Sequence, residues 1–214
     1  MDTNILIVRT RPFVKRTTPF ATNVLREREL SSHTGERPVI DSMVLRRAVG
    51  AFATGVTVVT VSEGTVLHGM TANSFTSVSL SPPLVLVSVD KKARMHAVLP
   101  RVGRFGMSVL ASDQGDVAMH FAGRPGLDGC FAFASLSGTP VIDHALAQLA
   151  CSLVASQDAG DHTLYIGKVD DTMRRDGRPL VFFAGRFVSL TTEKEAPSVD
   201  FQQLIDSIET YWCQ

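Results

Sequence analysis

A short apolar run that directly follows two prolines constrains the fold of this chain most strongly. Pro82 and Pro83 interrupt any regular element, and residues 84–89 then read Leu-Val-Leu-Val-Ser-Val. An uninterrupted run of apolar and β-branched residues of this length is typical of a strand. Because the run does not alternate with polar residues, we expect both faces of this strand to be buried.

Similar runs recur along the chain, and turn residues separate them. Predicted strands cover residues 56–61, 66–70, 105–110, 149–155, 163–169 and 180–183, the last continued by 186–190. Predicted helices run from Met43 to near Gly55, from Ala93 to Leu99 with Pro100 ending it, and from Ser112, its N-cap, to Phe121. Many short strands with only two or three helices predict a mainly β protein, built as a closed or partly open antiparallel barrel.

Composition limits the class of protein. The 214 residues suit one domain, and 44% hydrophobic with 20% charged residues is typical of a globular chain. The 21 basic and 21 acidic residues cancel, so no overall charge favours nucleic acid or a membrane surface. No apolar run reaches the roughly 18 residues of a membrane-spanning helix. Three scattered cysteines, an odd number, favour free thiols in a reducing compartment, and we expect a cytoplasmic protein.

The two ends of the chain differ from its middle. Residues 1–40 are rich in arginine, with Asp2 as the only acid before Glu27, and are predicted to be a flexible extension. An organelle transit segment or an upstream start codon would also fit. Residues 41–192 are predicted to form the barrel domain. Residues 193–214 are predicted to form an amphipathic helix that packs on the barrel or on a dimer mate, with Phe201, Leu204, Ile205, Ile208 and Trp212 on its apolar face.

The stretch from Gly69 to Ser79 is the clearest candidate for a ligand site. It is largely built from Thr, Ala, Asn and Ser, with Phe75 as its only large ring. Short hydroxyl and amide side chains place donors and acceptors near the backbone, and small side chains let a flat ligand approach the main chain. An edge strand that faces water has a similar composition, so both interpretations stay open at this point.

Common catalytic and nucleotide-binding motifs are missing. The sequence has no Gly-x-Gly-x-x-Gly, no Gly-x-x-x-x-Gly-Lys-Ser/Thr and no Gly-x-Ser-x-Gly. No two of its six histidines are four residues apart, and no Cys-x-x-Cys occurs, so a metal site has little support. We therefore expect any chemistry to be carried by a cofactor.

Two polar features follow the central stretch. Lys91, Lys92 and Arg94 come directly after the strand at 84–89 and open a predicted helix, which favours phosphate binding, although a solvated run of charges fits equally well. His162 occurs in the turn Gly160-Asp-His-Thr163. A single turn histidine is more often a surface residue with no further role.

Six segments, taken in order, form a recognisable set of motifs. They are Phe52-Ala-Thr-Gly-Val-Thr-Val-Val-Thr60, Gly69-Met-Thr-Ala-Asn-Ser-Phe75, Lys91-Lys-Ala-Arg-Met95, His120-Phe-Ala-Gly123, Gly160-Asp-His-Thr-Leu-Tyr-Ile-Gly167 and Pro179-Leu-Val-Phe-Phe183. Together they resemble the motifs of the short flavin reductases, the small components that supply reduced flavin to two-component monooxygenases. The resemblance covers about residues 41–190 and is greatest to the reductase component of phenol hydroxylase.

This resemblance implies a flavin-binding split barrel that pairs as a homodimer. It also implies an enzyme that transfers hydride from NADH (or NADPH) to FAD (or FMN) and passes reduced flavin by diffusion to a partner monooxygenase. Because the flavin performs the redox chemistry, no catalytic side chain and no metal are required.

The resemblance also assigns site residues. Contacts to the flavin ring or ribityl chain are expected from Thr71, Ala72, Asn73, Ser74, Phe75 and Ser77. The flavin phosphates are assigned to Lys92, Ala93 and Arg94, which favours FAD, although many relatives have Ser and Thr hydroxyls here. The flavin pocket would be lined by Phe121, Ala122 and Gly123. The nicotinamide would be oriented by His162, and its dinucleotide side shaped by Phe182, Phe183 and Arg186.

Two other functions fit the same sequence. One is a flavin-binding or sensing protein without turnover, since barrels of this kind serve several roles. The intact Gly-Asp-His segment favours the enzyme, because a storage protein needs no contact to nicotinamide. The other is a structural partner that docks on a monooxygenase through residues 193–214.

Overall fold

The computed structural model describes residues 40–124, 131–188 and 190. The predictions for the N-terminal extension and for the C-terminal helix lie outside these residues. The helices are α1 (Ser42–Val49), α2 (Arg94–Val102) and α3 (Gly115–Phe121). The strands are β1 (Thr54–Gly55), β2 (Thr57–Glu63), β3 (Val66–Ala72), β4 (Thr76–Leu80), β5 (Pro83–Asp90), β6 (Arg104–Val109), β7 (Phe133–Leu136), β8 (Thr139–Ile142), β9 (Ala147–Ala159), β10 (His162–Arg174), β11 (Val181–Phe183) and β12 (Arg186–Val188).

One antiparallel sheet of seven strands forms the framework, in the order β3-β2-β6-β9-β10-β5-β4. Its edge strands β3 and β4 are consecutive in the chain, and only residues 73–75 join them. That connection spans at most roughly 15 Å, at about 3.8 Å per Cα step. The edges of a flat seven-stranded sheet would lie about 29 Å apart, at about 4.8 Å per strand. The sheet therefore curls into a barrel without a ladder between β3 and β4, which confirms the predicted split barrel.

Ser74 links the connection between β3 and β4 to β5, the strand next to the edge strand β4. Its hydroxyl donates to the Ser88 carbonyl at 2.9 Å and accepts from the Ser88 N–H at 3.1 Å. Ser88 belongs to β5, so one short side chain joins the connection after β3 to the other side of the barrel. Because both main-chain groups of Ser88 are satisfied, the barrel closes here without a further strand.

The strand that is buried on both faces is β2. Residues 57–61 are all buried. Val59 and Val61 belong to one core cluster with Leu99, Phe105 and Tyr165. Val58 faces a second cluster beneath α3. β2 adjoins the edge strand β3, yet both of its faces are covered, one by the first core cluster and the other by the second cluster beneath α3.

The strand predicted to be buried on both faces, β5, is covered on one face only. Val85, Val87 and Val89 are buried, whereas Leu84, Leu86 and Ser88 are half-buried, so the prediction for residues 84–89 is wrong in this respect. β5 lies next to the edge strand β4, and only its valine face contacts the core.

The boundaries of α2 and α3 also differ from the prediction. Pro100 lies inside α2, which continues to Val102, because the carbonyl that proline leaves without a helical donor is bonded elsewhere. Gln114 and not Ser112 is the N-cap residue of α3. The Ser112 N–H is occupied by the Arg178 carbonyl at 2.8 Å, and residues 111–114 form a turn before the helix, closed by the Gln114 N–H and the Ala111 carbonyl at 2.9 Å.

Several strands were missed or placed differently. The β7–β8 hairpin was not predicted, and β9 and β10 extend over 13 residues each. The chain does not continue straight after β11. It reverses at Ala184 and Gly185, and β12 pairs antiparallel with β11 in a small sheet, β1-β11-β12.

α1 lies on the surface of the barrel. Its N-cap Asp41 accepts from the main-chain N–H groups of Met43 (2.7 Å) and Val44 (3.1 Å). None of its residues is buried. No helix within the described residues has the length and apolar character to cross a membrane.

Candidate functional site

A cavity of about 560 Å³ lies where the end of β3, the end of α3 and the β11–β12 hairpin meet. This volume is within the roughly 300–1,000 Å³ range of small-molecule sites. Its lining residues are Val56, Thr71, Ala72, Asn73, Met119, Ala122, Arg124, Phe182, Gly185, Arg186 and Phe187. Six of the residues assigned from the sequence therefore share one cavity: Thr71, Ala72, Asn73, Ala122, Phe182 and Arg186.

The end of β3 supplies the polar wall of the cavity. The Thr71 hydroxyl donates to the Ala118 carbonyl at 2.7 Å, so it offers only acceptor lone pairs to a ligand. The Ala72 carbonyl accepts from the Thr57 hydroxyl at 2.7 Å, which fixes the backbone. Asn73 is exposed, and its amide forms no hydrogen bond with the described residues. Asn73 can therefore both donate to and accept from the edge of a flat heterocycle.

α3 forms a second wall through its last turn. Ala122 and Arg124 line the cavity, but Phe121 does not. The Phe121 ring packs on Gly69, where an added Cβ would lie 2.4 Å from two ring carbons. Phe121 therefore supports the polar strand from behind, and Gly69 is required because no side chain fits between the strand and the ring. Gly123 follows with a φ of 78° and ends the helix.

The β11–β12 hairpin forms the aromatic wall. The rings of Phe182 and Phe187 meet edge to face, with centroids 5.9 Å apart. Both rings line the cavity beside Arg186, which is exposed and forms no ion pair within the described residues. Phe183 is exposed and absent from the lining, because alternate residues of a strand point to opposite faces.

Four other residues assigned to the flavin pocket also lie away from the cavity lining, and Gly123, just beyond α3, is one of them. Ser74 forms the link to Ser88 described above. Phe75 packs against the first core cluster, and Ser77 is exposed on the edge strand β4. For Ser74 and Phe75 the structure gives a direct architectural role, since they close the barrel at the connection between β3 and β4.

A second group of assigned residues meets at the C-terminal end of β5. Asp90 of β5 is opposite His162 of β10, and the Lys91 N–H donates to the Asp161 carbonyl at 3.0 Å. The pairing thus brings His162 beside the Lys92–Arg94 segment. Ser88, which carries the link to Ser74, lies two residues before Asp90, or about 7 Å along the strand.

The start of α2 offers main-chain donors for an anion. The Lys92 N–H is used by the Asp90 carboxylate at 2.7 Å, and the Ala93 N–H by the Asp90 carbonyl at 2.9 Å. Ala93 provides no side-chain cap, so the N–H groups of Arg94 and Met95 stay available at the helix start. Lys92 and Arg94 are exposed beside them.

His162 is oriented by its neighbour. Its Nδ1 lies 2.8 Å from Asp161 Oδ1, and the hydrogen bond from His162, followed by the charge of that histidine, lowers the pKa of Asp161. An ionised carboxylate only accepts, so Nδ1 carries the proton in this pair. The Nε2 side of the half-exposed ring is thereby directed away from Asp161.

The sequence reasoning missed Val56, Met119, Arg124, Gly185 and Phe187 of the lining. Arg124 directly follows the assigned Ala122 and Gly123, and Gly185, with a φ of 81°, marks the hairpin that brings Phe187 back beside Phe182. No cluster of three or more side chains suited to a metal ion occurs in the part of the chain that the structure describes.

Comparison with known proteins identifies the family. The flavin reductase like domain matches residues 49–191, which is more than half of the chain. A Rhodococcus protein named NADH-dependent flavin reductase is 48% identical over 156 residues, covering 72% of this chain and 89% of the relative. The chain belongs to the flavin reductase like family, and the resemblance stated from its motifs is confirmed.

Two solved structures extend the comparison. Flavin reductase PheA2 in its native state superposes with a TM-score of 0.70 at 44% identity, covering 72% of this chain and all of that one, 100%. The styrene monooxygenase flavin reductase of Pseudomonas putida S12 gives a TM-score of 0.66 at 37% identity, covering 70% and 99%. The barrel described above is thus the flavin reductase fold.

Proposed function

We propose that this protein is an NADH-dependent flavin reductase that delivers reduced FAD or FMN to a separate flavin-dependent monooxygenase. The observation that carries the proposal is the cavity at the end of β3, in a chain of the flavin reductase like family. The cavity joins an amide and a hydroxyl on one wall to two phenylalanine rings on another. A flat, amphipathic ring system such as isoalloxazine fits walls of this chemistry.

The bound flavin supplies the redox chemistry by accepting a hydride from NADH. The protein's contribution is to position the two rings, because hydride transfer needs reacting atoms about 3–3.5 Å apart. Thr71 and Asn73 hold the polar edge of the flavin. Phe182 and Phe187 exclude water from its apolar face, and Arg186 lies beside the dinucleotide. Phe183, which the resemblance also assigns to the dinucleotide side, lies next to Phe182 on β11 but is exposed and outside the cavity lining.

The second group of residues serves the charged parts of the ligands. Lys92 and Arg94, with the free N–H groups at the start of α2, bind the flavin phosphates, which favours FAD over FMN. His162 contacts the nicotinamide through its Nε2 side, held in place by Asp161. The Ser74–Ser88 link lies between this group and the cavity and keeps them in register.

The working unit is a homodimer in the cytoplasm. α1 has no buried residue and exposes Met43, Val44, Leu45 and Val49, with Phe52 just beyond it. Two-fold pairing of subunits is the commonest way to bury an exposed apolar surface such as this helix. The scattered cysteines support a reducing compartment.

A single assay tests the function. Purified protein, NADH and free FAD are mixed, and the absorbance of NADH is followed under anaerobic and aerobic conditions. We expect stoichiometric formation of reduced FAD without oxygen and continuous NADH consumption with it. Tight FAD binding without NADH oxidation would instead identify the non-catalytic flavin-binding protein. Adding a flavin-dependent monooxygenase and its substrate then tests delivery of the reduced flavin.

A further inference from the structure

The buried hydroxyl of Thr163 connects the strand that carries His162 to the helix that opens with the Lys92–Arg94 segment. Thr163, the residue after His162 on β10, is only 4% exposed. Its Oγ1 lies 3.1 Å from Nε2 of His96, in the first turn of α2, and 3.1 Å from Oδ1 of Asp158 on β9. One side chain of β10 thus contacts both a neighbouring strand and the helix that opens with the Lys92–Arg94 segment.

The direction of these two hydrogen bonds follows from proton counting. A threonine hydroxyl has one proton, and an ionised carboxylate can only accept. Thr163 therefore donates to Asp158, and its lone pair accepts from His96, so Nε2 of His96 carries a proton. The hydrogen bond from Thr163 is the main reason that the pKa of Asp158 is lowered, followed by the charge of Lys91, which keeps this carboxyl in its accepting state.

Further bonds hold the same helix turn against β10. The Tyr165 hydroxyl, two residues along the strand and on the same face, donates to the His96 carbonyl at 3.2 Å. Lys91 Nζ lies 3.4 Å from Asp158 Oδ2. His96 is therefore bonded to β10 through its ring and through its carbonyl, while Lys91 ties the preceding turn to β9.

We propose that Thr163, through Asp158 and His96, is a positioning residue that sets the placement of His162 relative to the Lys92–Arg94 segment. Adjacent strand residues point to opposite faces, so fixing Thr163 inward against α2 directs His162 outward. We call the hydrogen bonds of Thr163 to Asp158 and His96 the Thr163 relay. Because the proposed function places NADH at His162 and the flavin phosphates at Lys92–Arg94, this relay controls the alignment of the two substrates. The inference rests on that proposed function.

Replacing Thr163 with valine tests the relay, because valine keeps the shape and removes both hydrogen bonds. We expect kcat at saturating NADH and FAD to fall about tenfold, since small misplacements of reacting groups cost this much or more. Thr163→Ser should restore most of kcat. Asp158→Asn, which keeps an acceptor, should leave kcat nearly unchanged, whereas Asp158→Ala should lower it as Thr163→Val does.

Thr172→Val is the matched control. Thr172 lies on the same strand and donates to the Gln148 carbonyl at 3.1 Å, far from α2 in register. The Thr172→Val protein should keep the full kcat of the wild type. An unchanged kcat in Thr163→Val, an equal loss in Thr172→Val, or a failure of Thr163→Ser to restore kcat would overturn the proposal.

A second readout does not depend on turnover. Nitrogen-15 NMR of the histidine rings should show a hydrogen-bonded Nε2–H of His96 in the wild type and in Thr163→Ser, and a changed Nε2 chemical shift in Thr163→Val, where this hydrogen bond is lost. If the wild type shows this signal but oxidises no NADH with any flavin, the proposed function is wrong, and the Thr163 hydrogen bonds then align no substrates. If the wild type is active but the signal is absent, only the relay is wrong.

Discussion

The hydroxyl of Tyr165 donates to the main-chain carbonyl of His96, 3.2 Å away, and this carbonyl is the one that Pro100 leaves without a partner. In a regular helix the N–H of residue 100 would bond to the carbonyl of residue 96. Proline has no N–H, so a helix usually ends or kinks there. A buried tyrosine on β10 supplies the missing donor and lets α2 continue through the proline.

Removing the Tyr165 hydroxyl should therefore destabilise the fold. We expect Tyr165→Phe to lower the free energy of unfolding by about 1–2 kcal/mol, because the partly buried His96 carbonyl loses the donor that replaces the missing proline N–H. In a Pro100→Ala background the helix provides its own N–H, so the same change should cost clearly less. Urea unfolding of the four proteins of this cycle measures the difference. Equal costs in both backgrounds would contradict the compensation.

The same tyrosine predicts an alkaline limit to stability. Burial, and then the charge of Asp158, raise the pKa of Tyr165 above its ordinary value of 10.0. The folded state thus holds this proton more tightly than the unfolded chain, so stability is fully present below pH 10 and falls as the pH rises through and above that value. The decline should be shallower in Tyr165→Phe when urea midpoints are compared across this range.

The contact between Gly69 and Phe121 predicts a packing defect. An added methyl at Gly69 would lie 2.4 Å from ring carbons of Phe121, so Gly69→Ala should cost about 1–3 kcal/mol through overpacking. Phe121→Leu should recover part of this loss in the double variant. Gly115→Ala is the control, since nothing lies within 4 Å of a Cβ there. A Gly69→Ala protein as stable as the wild type would show that the ring moves aside freely.

The cations at the start of α2 predict a distinction between flavins. Removing both charges in Lys92→Ala/Arg94→Ala should weaken FAD binding by about tenfold or more, at roughly 1.5–3 kcal/mol for a charged hydrogen bond. Riboflavin has no phosphate, so its affinity should stay the same. Fluorescence titration measures both ligands, and Lys168→Ala, an exposed cation on β10, serves as control. Equal losses for the two flavins would remove the phosphate assignment.

His162 predicts an effect on one substrate only. His162→Ala should raise the KM for NADH with little change in flavin affinity, because the residue is assigned to the nicotinamide alone. His144→Ala, at another exposed histidine next to an aspartate, should leave both values unchanged. The pKa of Asp161 should also rise towards its ordinary value in His162→Ala, which NMR titration can follow. A shift of the flavin titration with unaltered NADH kinetics would reassign His162.

Local sequence signals were sufficient to predict a small antiparallel barrel, whereas the site residues were assigned through the family resemblance. The hairpins around β2 and around β10 follow from apolar runs separated by glycine turns. From composition, the polar stretch after Gly69 fitted either a ligand site or an edge strand facing water, and only the family resemblance assigned its residues to the flavin. Within this stretch, Ser74 and Phe75 lie outside the cavity lining, since the stretch also has to join the two edges of the sheet.

What local signals did not contain is long-range compensation. Pro100 was expected to end its helix because proline has no N–H to donate. The tyrosine that supplies the replacement donor, Tyr165, is 65 residues away along the chain, and only the fold brings it to the helix. The hairpin at Ala184 and Gly185 was missed for a similar reason, since Phe187 joins the cavity only after the chain has reversed.

The uncovered face of α1 predicts the oligomeric state. Val44 and Phe52 are 60% and 76% exposed although both are apolar, and no residue of the helix is buried within one chain. Covering such a face by two-fold pairing removes it from water, so sedimentation at low micromolar concentration should give about twice the 23.2 kDa chain mass. Val44→Asp should shift the protein towards the monomer, because a charge cannot be buried there without a partner. Val66→Asp, at an exposed apolar residue of the β2–β3 hairpin, should leave the dimer intact. A wild-type monomer that still oxidises NADH would show that one chain completes the site.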